Sequence, residues 1–142
     1  MPSRVPDGQR RGWIIPIGGA ENKENDRRIR ERFVRVAGGE QADIVVIPTA
    51  SRVHETGARY QQVFQELGAA RVEVMDFDTR RDCQERGRLR RIEAASGMFF
   101  TGGNQLRLTT LLGGTPVARL IRQRNAHGVA VGGTSAGASI LC

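Results

Sequence analysis

An almost unbroken apolar run, Ala-Asp-Ile-Val-Val-Ile-Pro, occupies residues 42–48 and is rich in β-branched side chains. It lacks the apolar–polar alternation of a half-exposed strand and is typical of a parallel strand that helices cover on both faces. Parallel neighbours can be joined only by a long crossover, which is usually a helix. The flanking sequence should therefore supply helices, and the chain is expected to have an α/β fold.

The rest of the chain alternates between strand and helix patterns. Apolar segments predict further strands within residues 12–19, 71–77, 97–101 and 129–131. Apolar residues at helical spacing predict helices at 25–36, around 60–67, around 89–95, at 105–112 and at 115–126, with a charged connection at 78–87. Pro16 favours an irregular or edge position for the first strand. This order implies right-handed crossovers and a doubly wound, mostly parallel sheet.

Composition excludes a disordered, a collagen-like or a membrane-spanning chain. With 142 residues, 39% of them hydrophobic and 26% charged, the chain has the balance of one soluble globular domain. The net charge of +7 suggests an anionic partner. However, Lys23 is the only lysine, the arginines are scattered and aromatic residues are few, so nucleic acid is not expected as a partner. The polar residues 1–11 are predicted to be a disordered tail, and residues 12–142 to form the domain.

The cysteines indicate a reducing compartment. Cys83 and Cys142 are too few and too far apart for a disulfide framework or a metal site, so we expect both to be free thiols. The apolar run that follows Arg10 and Arg11 is too short for a signal peptide or a twin-arginine leader. These features predict a cytoplasmic protein without membrane association.

Glycine-rich sequences follow the first, fourth and fifth predicted strands, at residues 18–21, 102–105 and 132–137. In a parallel α/β sheet the ligand site lies beyond the carboxyl ends of the strands. Because all of these segments would meet at that edge, we expect the functional site there.

Residues 133–137, Gly-Thr-Ser-Ala-Gly, fit the G-x-S-x-G nucleophile elbow between an apolar strand and a predicted helix. At such a turn the Ser135 hydroxyl stands above the sheet, and the Ala136 N–H points to where an oxyanion would form. Gly103, or Gly102, is predicted to supply a second N–H, because a residue without Cβ lets substrate approach the backbone. The alternatives are plain tight turns at the glycine pairs, or a phosphate-binding loop, for which the G-x-G-x-x-G spacing and the P-loop lysine are missing.

Taken together, the segments 17–21, 100–105 and 132–138 resemble the cyanophycinases, serine peptidases related to the α-aspartyl dipeptidases. The resemblance runs from about Gly12 to the end of the chain, so residues 12–142 would be the amino-terminal part of such a domain. It implies a class I glutamine-amidotransferase-like fold. It also implies hydrolysis of cyanophycin, a poly-aspartate that carries arginine on its side chains, to β-aspartyl-arginine dipeptides.

The same resemblance assigns roles to individual residues. Ser135 would be the nucleophile, and Ala136 and Gly103 would offer the N–H groups of the oxyanion hole. Gln105 would be a polar contact in the substrate cleft. For Gln105 the alternative is capping or exposure in the first turn of the helix that follows it.

A serine hydroxyl needs a general base, and the base must be oriented by a carboxylate. In the family both follow the serine in sequence, whereas this chain ends at Cys142. His127 precedes the last predicted strand and is therefore expected at the opposite, amino end of the sheet. His54 follows the strand at 42–48 and is expected at the carboxyl edge, either as a candidate base or as an exposed loop residue.

We therefore expect a truncated peptidase domain without normal turnover, in which the strand before Ser135 has an exposed far edge. A homodimer is compatible with the sequence. Neither a cofactor nor a metal is expected, because serine chemistry needs none. The alternatives are an aspartyl dipeptidase of the same family and a non-catalytic remnant that binds an acidic or arginyl ligand.

Overall fold

The computed structural model describes residues 3–17, 23–51 and 55–134. Its strands are β1 (Ile14–Ile17), β2 (Asp43–Ile47), β3 (Arg71–Val74), β4 (Gly97–Phe100) and β5 (Ala130–Thr134). Its helices are α1 (Lys23–Val36), α2 (Glu55–Glu66), α3 (Arg86–Ala94), α4 (Gln105–Leu112) and α5 (Pro116–Ala126). Short 3₁₀ turns span Gly39–Gln41 and Arg81–Gln84.

The strands form one sheet in the order β1-β5-β4-β2-β3, and every pairing between neighbours is parallel. This confirms the predicted parallel α/β sheet. The expectation that the strand before Ser135 has an exposed edge is wrong, because β5 pairs with β4 on one side and with β1 on the other. Among the described strands the edges are β1 and β3. Pro16 therefore lies in an edge strand, as its missing N–H predicts.

Helices cover both faces of the sheet, as the apolar run at residues 42–48 predicts. Ile44 and Val46 of β2 face a core that includes Phe33 of α1 and Phe64 of α2. The alternating Val45 and Ile47 face a second core. That second core includes Ile92 of α3, Leu108 and Leu112 of α4, and Val117 and Ile121 of α5. The side chains of these four β2 residues are fully buried, which is why the run shows no polar alternation.

β5 is longer than predicted and contains the glycines that the sequence placed in a turn. It continues through Thr134, with Gly132 opposite Phe99 and Gly133 opposite Phe100 in the register with β4. A Cβ on Gly132 would lie 2.9 Å from the Phe33 ring, and one on Gly133 would lie 2.7 Å from the Phe100 oxygen. These glycines therefore allow α1 and β4 to pack closely against β5, and the strand ends later than the sequence suggests.

β3 is shorter than its predicted range of 71–77. The Met75 N–H still donates to the Val46 oxygen at 2.8 Å. The Phe77 N–H then turns to the side chains of Asp76, at 2.8 Å, and Thr49, at 3.2 Å. These side-chain acceptors satisfy the backbone without a ladder, so the strand stops at Val74. The charged connection predicted at 78–87 contains a 3₁₀ turn and the first residues of α3.

The segment before β1 is tied to the end of α5. The Gly12 N–H donates to the Asn125 carbonyl at 2.7 Å, and the buried Asn125 amide donates to the oxygens of Gly12 and Val129 at 3.1 and 3.0 Å. The division into a tail, residues 1–11, and a domain, residues 12–142, stays a prediction. Within the described part of the chain, none of the helices has the length and apolar character needed to cross a membrane.

Cys83 is a free cysteine and is fully buried. Its Sγ donates to the Leu111 oxygen at 3.4 Å, and burial raises the pKa of the thiol. A neutral, buried thiol is a structural rather than a reactive cysteine. Cys142 lies outside the described residues.

Candidate active site

The predicted site residues fall partly within the described chain. Ser135, Ala136, His54 and residues 18–21 lie outside it. Gly103 and Gln105 are described, and they follow β4 at the carboxyl edge of the sheet.

The register of β4 and β5 relates the glycine loop to the elbow. Phe100 lies opposite Gly133 in this pairing. Gly103 follows Phe100 by three residues, and Ser135 follows Gly133 by two and is the next residue after β5. The strand that leads to the elbow and the strand that leads to Gly103 are therefore hydrogen-bonded neighbours that end at the same edge.

Gly103 is required by the packing of two loops. Its φ is 149°, and a Cβ there would lie 2.1 Å from the Ala50 carbonyl oxygen. The next residue, Asn104, donates its N–H to that same oxygen at 2.7 Å. From the sequence, the missing Cβ was expected to let substrate approach the backbone, but the Cβ position faces the loop after β2. The role of the Gly103 N–H in an oxyanion hole stays a prediction.

α4 begins with a side-chain cap supplied by Asn104. The Asn104 Oδ1 accepts from the backbone N–H groups of Leu106, at 2.9 Å, and Arg107, at 3.3 Å. Gln105 is the first residue of α4, and its side chain is exposed. Capping thus belongs to Asn104, and exposure is what the structure shows for Gln105. Contact of Gln105 with substrate stays a prediction.

A polar cluster that the sequence did not predict joins the loops after β2 and β3 to α4. The Thr49 hydroxyl donates to the Asp76 carboxylate at 3.0 Å. The Arg107 Nε donates to the Thr49 carbonyl at 2.8 Å. Each of these residues comes from a different loop or helix, so no spacing in the sequence predicts the cluster. Only Thr49 directly follows a predicted strand, whereas Asp76 lies within the predicted strand at 71–77 and Arg107 within the predicted helix at 105–112, so no common signal in the sequence indicated the cluster.

Thr101 is a further polar group at this edge. It directly follows β4 and is fully buried, yet among the described residues its hydroxyl has no hydrogen-bond partner. A buried hydroxyl without a partner costs about 1–3 kcal/mol. Such a group between β4 and the glycine loop is suited to bonding with a ligand or a neighbouring segment.

His127 lies where the sequence predicted, away from this edge. It is the C-cap residue of α5 and precedes the amino end of β5. The ring is exposed, and Nδ1 lies 2.6 Å from the Gln123 carbonyl oxygen. Among the described residues, therefore, no imidazole lies at the carboxyl edge to act as a base for a nucleophile there.

Replacing Gly103 with alanine is expected to destabilise the protein by roughly 2–5 kcal/mol, because the new Cβ would overlap the Ala50 carbonyl at a positive φ. Urea unfolding followed by circular dichroism measures this change. Gly87→Ala in α3 is the matched control. Its Cβ would meet Glu85 at an ordinary 3.7 Å, and alanine favours a helix by about 0.5–1 kcal/mol over glycine. Equal stability of the two variants would contradict the packing described for Gly103.

The sequence is similar to a known peptidase family and to individual proteins. Residues 14–142 match the family model described as Peptidase family S51. The cyanophycinase of Trichormus variabilis is 44% identical over an alignment of 143 positions, which covers 99% of this chain and 48% of that protein. The cyanophycinase of Geminocystis herdmanii is 42% identical over 133 residues, 92% of this chain and 49% of that protein. The chain thus spans about half the length of the curated relatives it matches.

A solved structure shares the fold. The crystal structure of a peptidase from an acI-B1 actinobacterium superposes with a TM-score of 0.75 at 20% sequence identity. The superposition covers 92% of this chain and 56% of that one. At this identity the likeness concerns the arrangement of strands and helices alone.

Proposed function

The chain belongs to peptidase family S51, and from this membership we propose that it carries the nucleophile of a serine peptidase that degrades cyanophycin. The observation that supports the chemistry most directly is the pairing of β4 with β5, which end together at the carboxyl edge. β5 leads into the G-x-S-x-G sequence, and β4 leads into the Gly103 loop. A nucleophile and an oxyanion donor need this adjacency, because both must reach one carbonyl group.

In the proposed reaction, the Ser135 Oγ attacks the carbonyl carbon of a backbone aspartyl peptide bond as a base takes the hydroxyl proton. The N–H groups of Ala136 and Gly103 donate to the oxyanion. The tetrahedral intermediate then collapses, the base returns the proton to the leaving nitrogen, and an acyl-enzyme remains. Water, deprotonated by the same base, releases the acyl group as a carboxylate and restores Ser135.

The proposed substrate is cyanophycin, and the proposed product is the β-aspartyl-arginine dipeptide. The names of relatives that are 44% and 42% identical support this substrate. Gln105 supports it through its exposed position on the first turn of α4, beside the Gly103 loop. There its amide can donate to, or accept from, the polar groups of an aspartyl-arginine unit.

Turnover is proposed to need a histidine and a carboxylate beyond the described residues. His127 lies at the amino end of β5 and cannot reach a hydroxyl at the carboxyl edge. In the family the histidine and the carboxylate follow the serine in sequence, and residues 136–142 contain neither, so we propose that this chain by itself does not cleave cyanophycin at a normal rate. The proposal includes a cytoplasmic location, which a free, buried Cys83 suits. It also includes a possible homodimer, and it assigns no role to nucleic acid, a metal or a cofactor.

Product analysis tests this function. Purified cyanophycin is incubated with the 142-residue chain, and with a fusion of the chain to the half of the Trichormus variabilis cyanophycinase that it does not match. We expect the fusion to release aspartyl-arginine dipeptide and the chain alone to release none, since only the fusion is proposed to contain a base. The unmatched half alone is the control and should be inactive, because it lacks Ser135.

Other outcomes would replace the proposal. Free aspartate released from aspartyl dipeptides, with cyanophycin untouched, would identify an aspartyl dipeptidase. Retention of the polymer without any product, by a fusion whose circular dichroism shows a folded protein, would identify a binding module. Dipeptide release by the chain alone would show that the base lies within these 142 residues.

A further inference from the structure

A groove of about 380 Å³ lies between α3 and α5, apart from the loops at the carboxyl edge. Its walls come from both helices. Arg86, Arg90 and Glu93 line it from α3, and Arg119 lines it from α5, with Leu89 and Leu120 also contributing. A volume of this size accommodates a few side chains of a ligand.

The arginines of this groove form no ion pair with any described residue, in contrast to Arg88 and Arg91 of α3. Arg88 pairs with Glu85, and Arg91 pairs with Asp43. Across the described residues, no ion pair or hydrogen bond is found for the exposed side chains of Arg86, Arg90 and Arg119. The helix thus uses some arginines to hold the fold and presents others to the groove.

The placement of these charges is unfavourable in the free protein. Arg86 and Arg90 are four residues apart on α3, and like charges at this spacing repel one another. Arg119 brings a third guanidinium from α5, against the single carboxylate of Glu93. A ligand that carries several carboxylates would relieve this repulsion and gain charge-assisted hydrogen bonds.

The apolar part of the groove indicates a peptide. Leu89 and Leu120 are half-buried and pack on the core between these helices and the sheet. Their exposed parts offer a fixed surface for an aliphatic side chain. None of the described residues that line the groove is aromatic, so a base has no ring on which to stack and single-stranded nucleic acid fits the groove less well.

We propose that the groove between α3 and α5 binds an acidic peptide. The carboxylates of the peptide pair with Arg86, Arg90 and Arg119, and an aliphatic side chain of the peptide packs on Leu89 and Leu120. Binding uses no residue of the Gly103 loop or the elbow, so it is independent of the proposed peptidase activity.

Fluorescence anisotropy with a labelled eight-residue peptide of aspartate, glutamate and leucine tests the proposal on the 142-residue chain. We expect saturable binding that weakens as salt is raised. The double variant Arg86→Glu/Arg119→Glu should raise the Kd about tenfold or more. Arg59→Glu is the control, because Arg59 is exposed on α2, which packs on the opposite face of the sheet, and it should change the Kd less than twofold.

Three outcomes would overturn the proposal. The first is no saturable binding by the unmodified chain. The second is a change in Kd per reversed charge that is as large for Arg59→Glu as for the double variant. Such a result would show that the peptide is attracted by the net charge alone. The third is tighter binding of a single-stranded oligonucleotide with the same dependence on Arg86 and Arg119, which would assign the groove to nucleic acid.

A peptide with serine in place of leucine should bind more weakly, and equal binding would refute the contact with Leu89 and Leu120.

Discussion

A Ser135→Ala variant is expected to lose cyanophycin hydrolysis by a factor of about 10⁴ or more, measured as kcat for dipeptide release by the fusion protein. Removal of the hydroxyl leaves nothing to form the acyl-enzyme. The oxyanion donors and the substrate contacts remain, and they explain why a small residual rate over water is expected. The KM should change little, because the hydroxyl contributes chiefly to the transition state.

Ser139→Ala provides the matched control for this prediction. Ser139 follows Ser135 by one helical turn in the sequence and, as a small residue, is expected to be packed rather than reactive. The Ser139→Ala variant also removes a serine hydroxyl, from the same segment of the chain. Its kcat should therefore stay within about threefold of that of the parent. If Ser135→Ala kept a tenth or more of the parent kcat, Ser135 could not be the nucleophile.

A Phe99→Ala variant is expected to lower the free energy of unfolding by about 3–5 kcal/mol. Phe99 lies in β4 and is fully buried. Its ring centroid lies 5.0 Å from those of Tyr60 and Phe64 and 5.4 Å from that of Phe33. These contacts join α1 and α2 to the sheet, so the alanine variant would leave a cavity at their meeting point. Because typical domains have only about 5–15 kcal/mol of stability in total, the variant should unfold at a markedly lower urea concentration than the parent.

Urea unfolding measures the Phe99→Ala effect, and Leu106→Ala is its control. Leu106 is a large hydrophobic residue too, but its side chain is 72% exposed. Its replacement should change stability by no more than about 0.5 kcal/mol. Equal losses in the two variants would mean that the aromatic cluster of Phe33, Tyr60, Phe64 and Phe99 does not stabilise the fold.

Local patterns predicted the secondary structure well where packing was uniform along an element. Residues 42–48 showed a buried strand because both faces of β2 are covered. The prediction was wrong at the end of β5, because glycines at 132 and 133 usually mark a turn. There they make room for the rings and backbone of Phe33 and Phe100, which are distant in sequence.

The candidate site was predictable only in outline. G-x-S-x-G and the glycine loop are local sequences, and their shared edge follows from the rule for parallel sheets. The cluster of Thr49, Asp76 and Arg107 was missed because its members lie far apart in sequence and meet only when the strands are assembled. The close approach of Gly103 to Ala50 was missed for the same reason.

The sequence by itself determined the α/β class and the family, and it predicted the residues that are proposed to carry the reaction, because periodicity and motifs depend on neighbours along the chain. Tertiary structure alone decided that β5 lies between β1 and β4, and that α3 and α5 leave a groove lined by arginine. The choice of a strand's partner depends on how large apolar faces are buried together across the whole chain. No single segment of the sequence determines this choice, so the order of the strands is known only from the folded protein.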